Sequence, residues 1–152
     1  MKVIDLTHVI NAEMPVYPGT EPPVFESANT YERDGFKETK ISMYTHTGTH
    51  MDPPAHLYPN RTTLDCFPPE QFIGKALVID CSFLREGESI TMDLLAPYGE
   101  KIEKADFLLF HLGWDKRWGT EAYFDDYPCI DQAVLEHILN GCYKGIGFDV
   151  IG

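Results

Sequence analysis

Apolar residues recur along the chain in short runs that predict β-strands. Loose alternation in VIDLTHVI predicts a first strand, Val3 to Leu6. GKALVIDCS contains the continuous apolar run Ala76 to Ile79, which is typical of a strand buried on both faces. ADFLLFHLGW predicts a second buried strand, and YKGIGFDVIG begins a last one. The apolar pattern therefore predicts a buried sheet in the second half of the chain.

Turn and capping signals separate these runs. Asp34-Gly35, within VFESANTYERDGFKETKISMYTHTGTH, predicts strands joined as a hairpin. Thr91 is a candidate N-cap for a short helix in ITMDLLAPYG. CIDQAVLEHILNG has the strongest helical spacing, with Asp131 as its cap and Asn140-Gly141 at its end. Strands that alternate with helices indicate an α/β domain with a mixed sheet.

Length and charge narrow the class of protein. The 152 residues favour one domain, 1–152. A net charge of -12 disfavours nucleic acid and anionic membrane surfaces as partners. No apolar run approaches the roughly 20 residues that span a bilayer. The N-terminus makes a poor signal peptide, and the four cysteines form no C-x-x-C pair. We therefore expect reduced thiols and a cytoplasmic protein.

The histidines are concentrated in one short segment. THTGTHMDPPAH, residues 45–56, holds three of the six histidines and an aspartate. Its threonines, glycine and prolines disfavour a helix. In a strand, His46, Gly48, His50 and Asp52 would project to one side. Gly48 would then leave open space between the two imidazoles, where a metal ion with its water could lie.

The residue types in this segment suit a metal centre. Two imidazoles and a carboxylate favour Zn²⁺, Mn²⁺ or Fe²⁺ over copper(I). Three protein ligands, His46, His50 and Asp52, leave one position for water, whose pKa such an ion lowers. His56, beyond two prolines, would return near the metal as a proton donor or acceptor. The alternative is that the clustering is an accident.

HTGTHMDPPAH also matches, at every fixed position, the H-x-G-T-H-x-D-x-P-x-H signature of a known family. The sequence resembles the Putative cyclase family, which includes bacterial kynurenine formamidase (arylformamidase) and isatin hydrolase. DLTHVINAEMPVYPG, LLFHLGW and YFDDYPCI are similar to further family segments. The resemblance covers nearly the whole chain.

The resemblance implies a fold, a chemistry and roles for five residues. It implies a swivelling β/β/α-type domain with a mixed, barrel-like sheet, a divalent-metal hydrolase and a homodimer or higher homo-oligomer. It makes His46, His50 and Asp52 metal ligands, with Asp52 bridging to a second ion where one binds. His56 would be the acid/base. Tyr17 would lie beside the substrate ring, although a packed loop aromatic is an equally good interpretation.

Three features depart from the family pattern. Family members continue beyond Gly152 and supply there a His and a Glu for the second metal, so we expect the domain to lack its C-terminal segment. His111 stands where a threonine is usual, and could line the site or pack. Tyr17 replaces the more frequent Trp, which weakens a specific assignment to N-formylkynurenine. Asp149 could also approach the site, whereas we expect His8 to be structural and His137 to lie on the surface.

Three functions remain open at this point. The first is a metal-dependent amidohydrolase of the arylformamidase type, with Zn or Mn as one or two ions and a small-molecule amide as substrate. The second is the same chemistry on a cyclic amide, an ester or a lactone. The third is an inactive metal-binding homologue that lacks its C-terminal part.

Overall fold

An antiparallel pair of strands is the main regular structure of the first 64 residues. The computed structural model describes residues 2–151, in two units, Met1–Leu64 and Asp65–Gly152. In the first unit, β1 (Val24–Asn29) pairs with β2 (Glu38–Ser42). A helical turn, α1 (Tyr31–Asp34), and Gly35 at φ 79° connect the two strands. The hairpin prediction is therefore confirmed, with a longer connection than a two-residue turn.

The predicted strand from Val3 to Leu6 is wrong. These residues have no regular structure and no strand partner among residues 2–151. The Asp5 carboxylate instead accepts hydrogen bonds from the Thr7 backbone N–H at 2.9 Å and from the Thr7 hydroxyl at 2.8 Å. Such a local bond offers the backbone an alternative to a sheet. The short alternation in VIDL was too weak a signal to outweigh it.

A three-stranded parallel sheet organises the second unit. Its strands are β3 (Ala76–Asp80), β5 (Phe107–His111) and β7 (Gly145–Phe148), in the order β3-β5-β7. All three were predicted. β5 lies between the other two, which explains why Leu108 and Phe110 are almost fully buried. Val78 on β3 is 55% exposed, so the expectation of burial on both faces is wrong for this edge strand.

Short elements complete the second unit. β4 (Ser89–Ile90) pairs in parallel with β6 (Cys129–Ile130). The α-helices are α2 (Met92–Leu95), α3 (Glu100–Glu103) and α4 (Gln132–Asn140). The 3-10 helices among residues 2–151, including one before residue 64, are Pro54–His56, Leu64–Cys66, Pro69–Phe72, Ala96–Tyr98, Trp114–Arg117 and Glu121–Tyr123. The helices around Met92 and Gln132 match the two helices predicted from the sequence.

The apolar core of the second unit lies around the parallel sheet. Its best-buried side chains come from the strands and from the helices that cover them: Ile79, Cys81, Ile90, Leu95, Ile102, Leu108, Phe110, Leu112, Trp114, Tyr123 and Val134. Asp131 caps α4 by accepting a hydrogen bond from the Val134 N–H at 2.8 Å. The cap and the buried Val134 together anchor this helix.

The fold class is mixed α/β, as the pattern predicted. The described residues form three open sheets of two, three and two strands, so the expected barrel-like sheet is not found in them. The outer edges of β3 and β7 pair with no further strand in residues 2–151, and closure would need such a strand. Within the same residues, no helix combines the length and the apolar character needed to cross a bilayer.

Candidate metal centre

The histidine-rich segment is a loop rather than a strand. Strand β2 ends at Ser42, residues 45–49 are bends, and a 3-10 helix begins at Pro54. The alternation of faces expected for a strand is therefore wrong. Gly48 has φ 68°, a left-handed conformation that glycine adopts readily and most other residues avoid. This bend turns the chain back and brings together side chains that lie four to six residues apart.

Three side chains predicted as ligands converge in this loop. His50 Nε2 lies 2.8 Å from His46 Nδ1 and 3.3 Å from Asp52 Oδ2. His46 Nδ1 lies 2.9 Å from the same carboxylate oxygen. All three residues are exposed, so a small ion could reach them from solvent. The structure thus brings together His46, His50 and Asp52, as their spacing suggested.

The hydrogen bond of the other ring nitrogen defines the tautomer of His50. His50 Nδ1 lies 2.7 Å from the carbonyl oxygen of Gly48. A carbonyl only accepts hydrogen bonds, so Nδ1 must carry the hydrogen. In a neutral ring, Nε2 then has a free lone pair directed at His46 and Asp52. Bonds of this kind orient metal-ligating histidines in proteins.

The Asp52 carboxylate is held in its charged form. Desolvation by partial burial raises its pKa, but the hydrogen bond from His46 and the charges of His50, His46 and His56 together outweigh that effect. The net pKa of Asp52 is therefore lowered from its ordinary value of 3.8. An ionised carboxylate at neutral pH is the form that binds a cation.

His56 lies beside the three converging side chains. The 3-10 helix Pro54–His56 places Nδ1 of His56 at 3.8 Å from Asp52 Oδ1. Its ring stacks on that of His46, with 4.5 Å between ring centroids and 21° between ring planes. The return of His56 after two prolines is thus as expected.

Tyr17 has a different setting: its side chain is 57% exposed, and its carbonyl closes a turn by accepting a bond from Thr20.

The space at Gly48 is filled by the protein. A Cβ placed on Gly48 would lie 2.9 Å from Cε of Met14. Met14 is 5% exposed and is one of the few buried side chains among residues 2–64. The expectation that Gly48 leaves room for a metal ion is therefore wrong. The glycine is needed for the left-handed bend and for the close approach of Met14.

The separations between the donor atoms fit a divalent ion. In a tetrahedral site, bonds of about 2.0–2.1 Å between the metal ion and its ligand atoms imply about 3.3–3.4 Å between those ligand atoms. The observed 2.8, 2.9 and 3.3 Å are near this value, and a small opening would match it. Two imidazoles and one carboxylate suit zinc or manganese.

A second group of polar side chains lies in the other unit. His111, Asp115 and Asp149 each offer a donor atom within 4.8 Å of the others. Both Asp149 oxygens accept backbone hydrogen bonds, from Leu112 at 2.7 Å and Trp114 at 3.1 Å, so its position has a structural explanation. The sequence interpretation weighed His111 and Asp149 separately and missed Asp115. His111 ends β5 and Asp149 directly follows β7, and these two strands are parallel neighbours. Because the carboxyl ends of such strands lie at the same edge of a sheet, this position is the sequence signal that could have grouped the residues.

Comparison with known proteins identifies the family of the chain. The family model described as Putative cyclase matches residues 4–152. The chain belongs to this family. Kynurenine formamidase of Bacillus cytotoxicus is 32% identical over 148 residues, which are 97% of this chain and 68% of that protein.

Solved structures of cyclase-family relatives share the fold. Isatin hydrolase A from Labrenzia aggregata, bound to benzyl benzoate, has a TM-score of 0.80 at 27% identity and is matched over 98% of this chain and 68% of its own. A potential metal-dependent hydrolase with cyclase activity has a TM-score of 0.72 at 26% identity, over 99% of this chain and 69% of its own. The chain thus spans about two thirds of the length of these relatives, and its similarity to them supports an enzyme with hydrolase activity.

Proposed function

We propose that the chain hydrolyses a formamide or related amide of a small molecule, with His46, His50 and Asp52 as ligands of a divalent ion. The observation that carries this proposal is the convergence of the three donor atoms within 2.8–3.3 Å, beside His56. The 32% identity to a kynurenine formamidase supports an arylformamidase type of reaction. Zinc or manganese, as one or two ions, are the cofactors we propose.

Each residue of the proposed site has its own role in the reaction. His46, His50 and Asp52 would hold the cation through their exposed side chains. A divalent cation bound there supplies Lewis acidity, which lowers the pKa of water and polarises a carbonyl group. His56 accepts a proton from the attacking water and delivers it to the leaving nitrogen. Tyr17 contacts the substrate ring.

Substitution of His56 tests the assignment of acid/base catalysis. We expect His56→Ala to keep the cation content of the wild type and to lower turnover roughly 10²–10⁴-fold. His137→Ala is the matched control, because His137 is a histidine on α4 whose Nε2 lies 3.1 Å from the Tyr143 hydroxyl. Metal analysis and steady-state kinetics on N-formylkynurenine measure both effects. Full activity of His56→Ala would show that the mechanism is wrong.

A cyclic amide is the second candidate substrate. The similarity to isatin hydrolase A, at TM-score 0.80, favours it specifically. A panel of an aryl formamide, isatin, an aryl ester and a lactone distinguishes the candidates by kcat/KM. Binding of a cation without turnover of any of these compounds would instead support an inactive metal-binding homologue.

We propose three further properties of the whole chain. Residues 1–152 act as a single cyclase-family domain of the swivelling β/β/α type, the chain forms a homodimer or higher homo-oligomer, and it works in the cytoplasm. The numerous exposed apolar side chains of residues 2–64, among them Val9, Phe25 and Ile41, support association between copies. Light scattering after size-exclusion chromatography measures the oligomer, and a monomer at micromolar concentration would contradict it.

A further inference from the structure

The carbonyl group of Gly48 orients a proposed ligand. It accepts the hydrogen bond from His50 Nδ1 at 2.7 Å, and this bond directs Nε2 towards His46 and Asp52. The direction of that carbonyl depends on the Gly48 backbone, which has φ 68°. A movement of this peptide would therefore shift the acceptor of the His50 hydrogen bond and change the direction of Nε2.

The loop has no regular structure that could hold the Gly48 peptide in place. Residues 45–49 are bends and belong to no sheet. Side-chain contacts must then supply the rigidity that a strand or helix supplies in other metal sites. Two contacts from the N-terminal segment are close to Gly48. The His8 backbone N–H donates to the Thr49 hydroxyl at 3.0 Å, and the Met14 methyl group packs on Gly48.

Met14 is well placed to fix this peptide. It follows a turn in which its N–H donates to the Asn11 carbonyl at 3.4 Å, and its side chain is only 5% exposed. Its Cε lies 2.9 Å from the position that a Gly48 Cβ would take. The methyl group therefore fills the position that a Gly48 Cβ would take, and Ile10 Cγ1 is the next nearest atom, 3.9 Å from that position. The Met14 atom nearest to Gly48 is a methyl carbon, which has no lone pair for a cation, so we expect its effect to pass through Gly48.

We propose that Met14 is a positioning residue of the metal centre, which holds the Gly48 peptide so that its carbonyl orients His50. This inference rests on the proposed function for the role of the loop as a cation site. It adds a residue that lies 32 or more positions from each proposed ligand. Loss of the group that orients a metal-ligating histidine typically lowers metal affinity about 10–100-fold, and we expect release of the Gly48 carbonyl to act in the same way.

Replacement of Met14 tests this inference on the cation alone. We expect Met14→Ala to weaken Co²⁺ binding about 10–100-fold and to change the visible absorption of the bound Co²⁺. Met14→Leu, similar in volume, should restore affinity to within about threefold of the wild type. Met92→Ala is the matched control, because Met92 is a half-buried methionine that packs on the core of the other unit. It should lower stability without a change in the Co²⁺ spectrum.

A double-mutant cycle tests the route through Gly48. Gly48→Ala disturbs the left-handed bend and displaces the Met14 methyl group. Met14→Ala should therefore cost little additional Co²⁺ affinity when Gly48→Ala is already present. If Met14→Ala does not fold, Met14→Val replaces it, because its shorter side chain keeps bulk but does not reach Gly48.

The possible outcomes separate this inference from the proposed function. If Met14→Ala binds Co²⁺ with the affinity and the spectrum of the wild type, the role of Met14 is overturned. The same holds if the losses of affinity in the double-mutant cycle are additive. Non-additive losses of affinity would support it. Absence of hydrolysis in a wild-type protein that binds Co²⁺ would overturn the proposed reaction and leave the role of Met14 intact.

Discussion

Asp52 is the residue on which the proposed metal centre depends most. Its carboxylate oxygens lie within 2.9 Å of His46, 3.3 Å of His50 and 3.8 Å of His56. We expect Asp52→Asn to lower Zn²⁺ affinity by at least about 100-fold, because a direct ligand should matter at least as much as an outer contact. Isothermal titration calorimetry measures the change.

Asp80 supplies the control for this substitution. It too lies near a histidine, with 3.7 Å to His111, and its pKa is also lowered, chiefly by hydrogen bonds from the Ser82 hydroxyl and N–H. Asp80→Asn therefore removes a similar charge outside the loop and should leave Zn²⁺ affinity unchanged. Equal affinities of the two variants would remove Asp52 from the ligand set.

Cys81 should differ from the other cysteines in reactivity. Burial, reinforced by the charges of Asp80 and Asp149, raises the pKa of its thiol to about 11. The other three cysteines, Cys66, Cys129 and Cys142, are exposed. At pH 8 we expect iodoacetamide to modify these three in the folded protein, because Cys81 is both inaccessible and protonated. All four should react in denaturant, as intact mass spectrometry would show. Modification of Cys81 in the folded state would contradict its burial.

At the scale of elements, the sequence predicted those that carry strong local signals. β5, β7 and the helix from Gln132 have continuous apolar runs or a cap with helical spacing, and all three form. Val3 to Leu6 has four residues of alternation and does not form a strand. The exposure of Val78 was not predictable, because it depends on which strand of the sheet lies at the edge.

The convergence of the four proposed site residues was predictable from the sequence, although the local structure of their loop was not. The residue types at 46, 50, 52 and 56 limit the chemistry whatever the backbone does, and all four side chains meet. The strand prediction failed at Gly48, because alternating residue types do not reveal a positive φ. The contact of Met14 with Gly48 joins residues 34 positions apart. No local pattern encodes such a contact.

Two helix caps in the second unit provide a matched pair for a test of stability. The Asp131 carboxylate accepts a hydrogen bond from Val134 N–H at the start of α4, whereas the Thr91 side chain makes no capping bond to α2. Asp131→Ala should cost about 1 kcal/mol of unfolding free energy, and Thr91→Ala clearly less. Urea denaturation followed by circular dichroism measures both. Equal losses of unfolding free energy in the two variants would show that the hydrogen bond from Val134 to Asp131 does not determine how much this cap stabilises α4.

At the scale of the whole molecule, the net charge is -12. The stability of the folded state at low pH therefore depends on two opposing effects. Protonation of surface carboxylates relieves mutual repulsion and favours the folded state. Protonation of carboxylates whose pKa is lowered by folding has the opposite effect. Asp5, Asp52, Asp80 and Asp106 belong to the second group.

Asp106 is the member of this group with the widest structural connections. Its carboxylate accepts a bond from Lys75 N–H just before β3, and Lys144 Nζ, just before β7, lies 3.6 Å away. Asp106 itself precedes β5, so one side chain joins the starts of three parallel strands. The Lys75 hydrogen bond is the main cause of its lowered pKa, and the charge of Lys144 adds to it.

The stabilisation from Asp106 should therefore depend on pH in a definite direction. Because folding lowers its pKa below 3.8, the contribution is complete above that value and disappears as the pH falls through the lower, folded-state pKa. Asp106→Asn should unfold at lower urea concentration than the wild type at pH 7, and the difference should shrink as the pH falls below about 4. Asp93→Asn, on the exposed start of α2, removes one charge without a contact to the strand starts. A difference between Asp106→Asn and the wild type that stays constant from pH 7 to pH 3 would mean that the charge of Asp106 does not hold the three strands together.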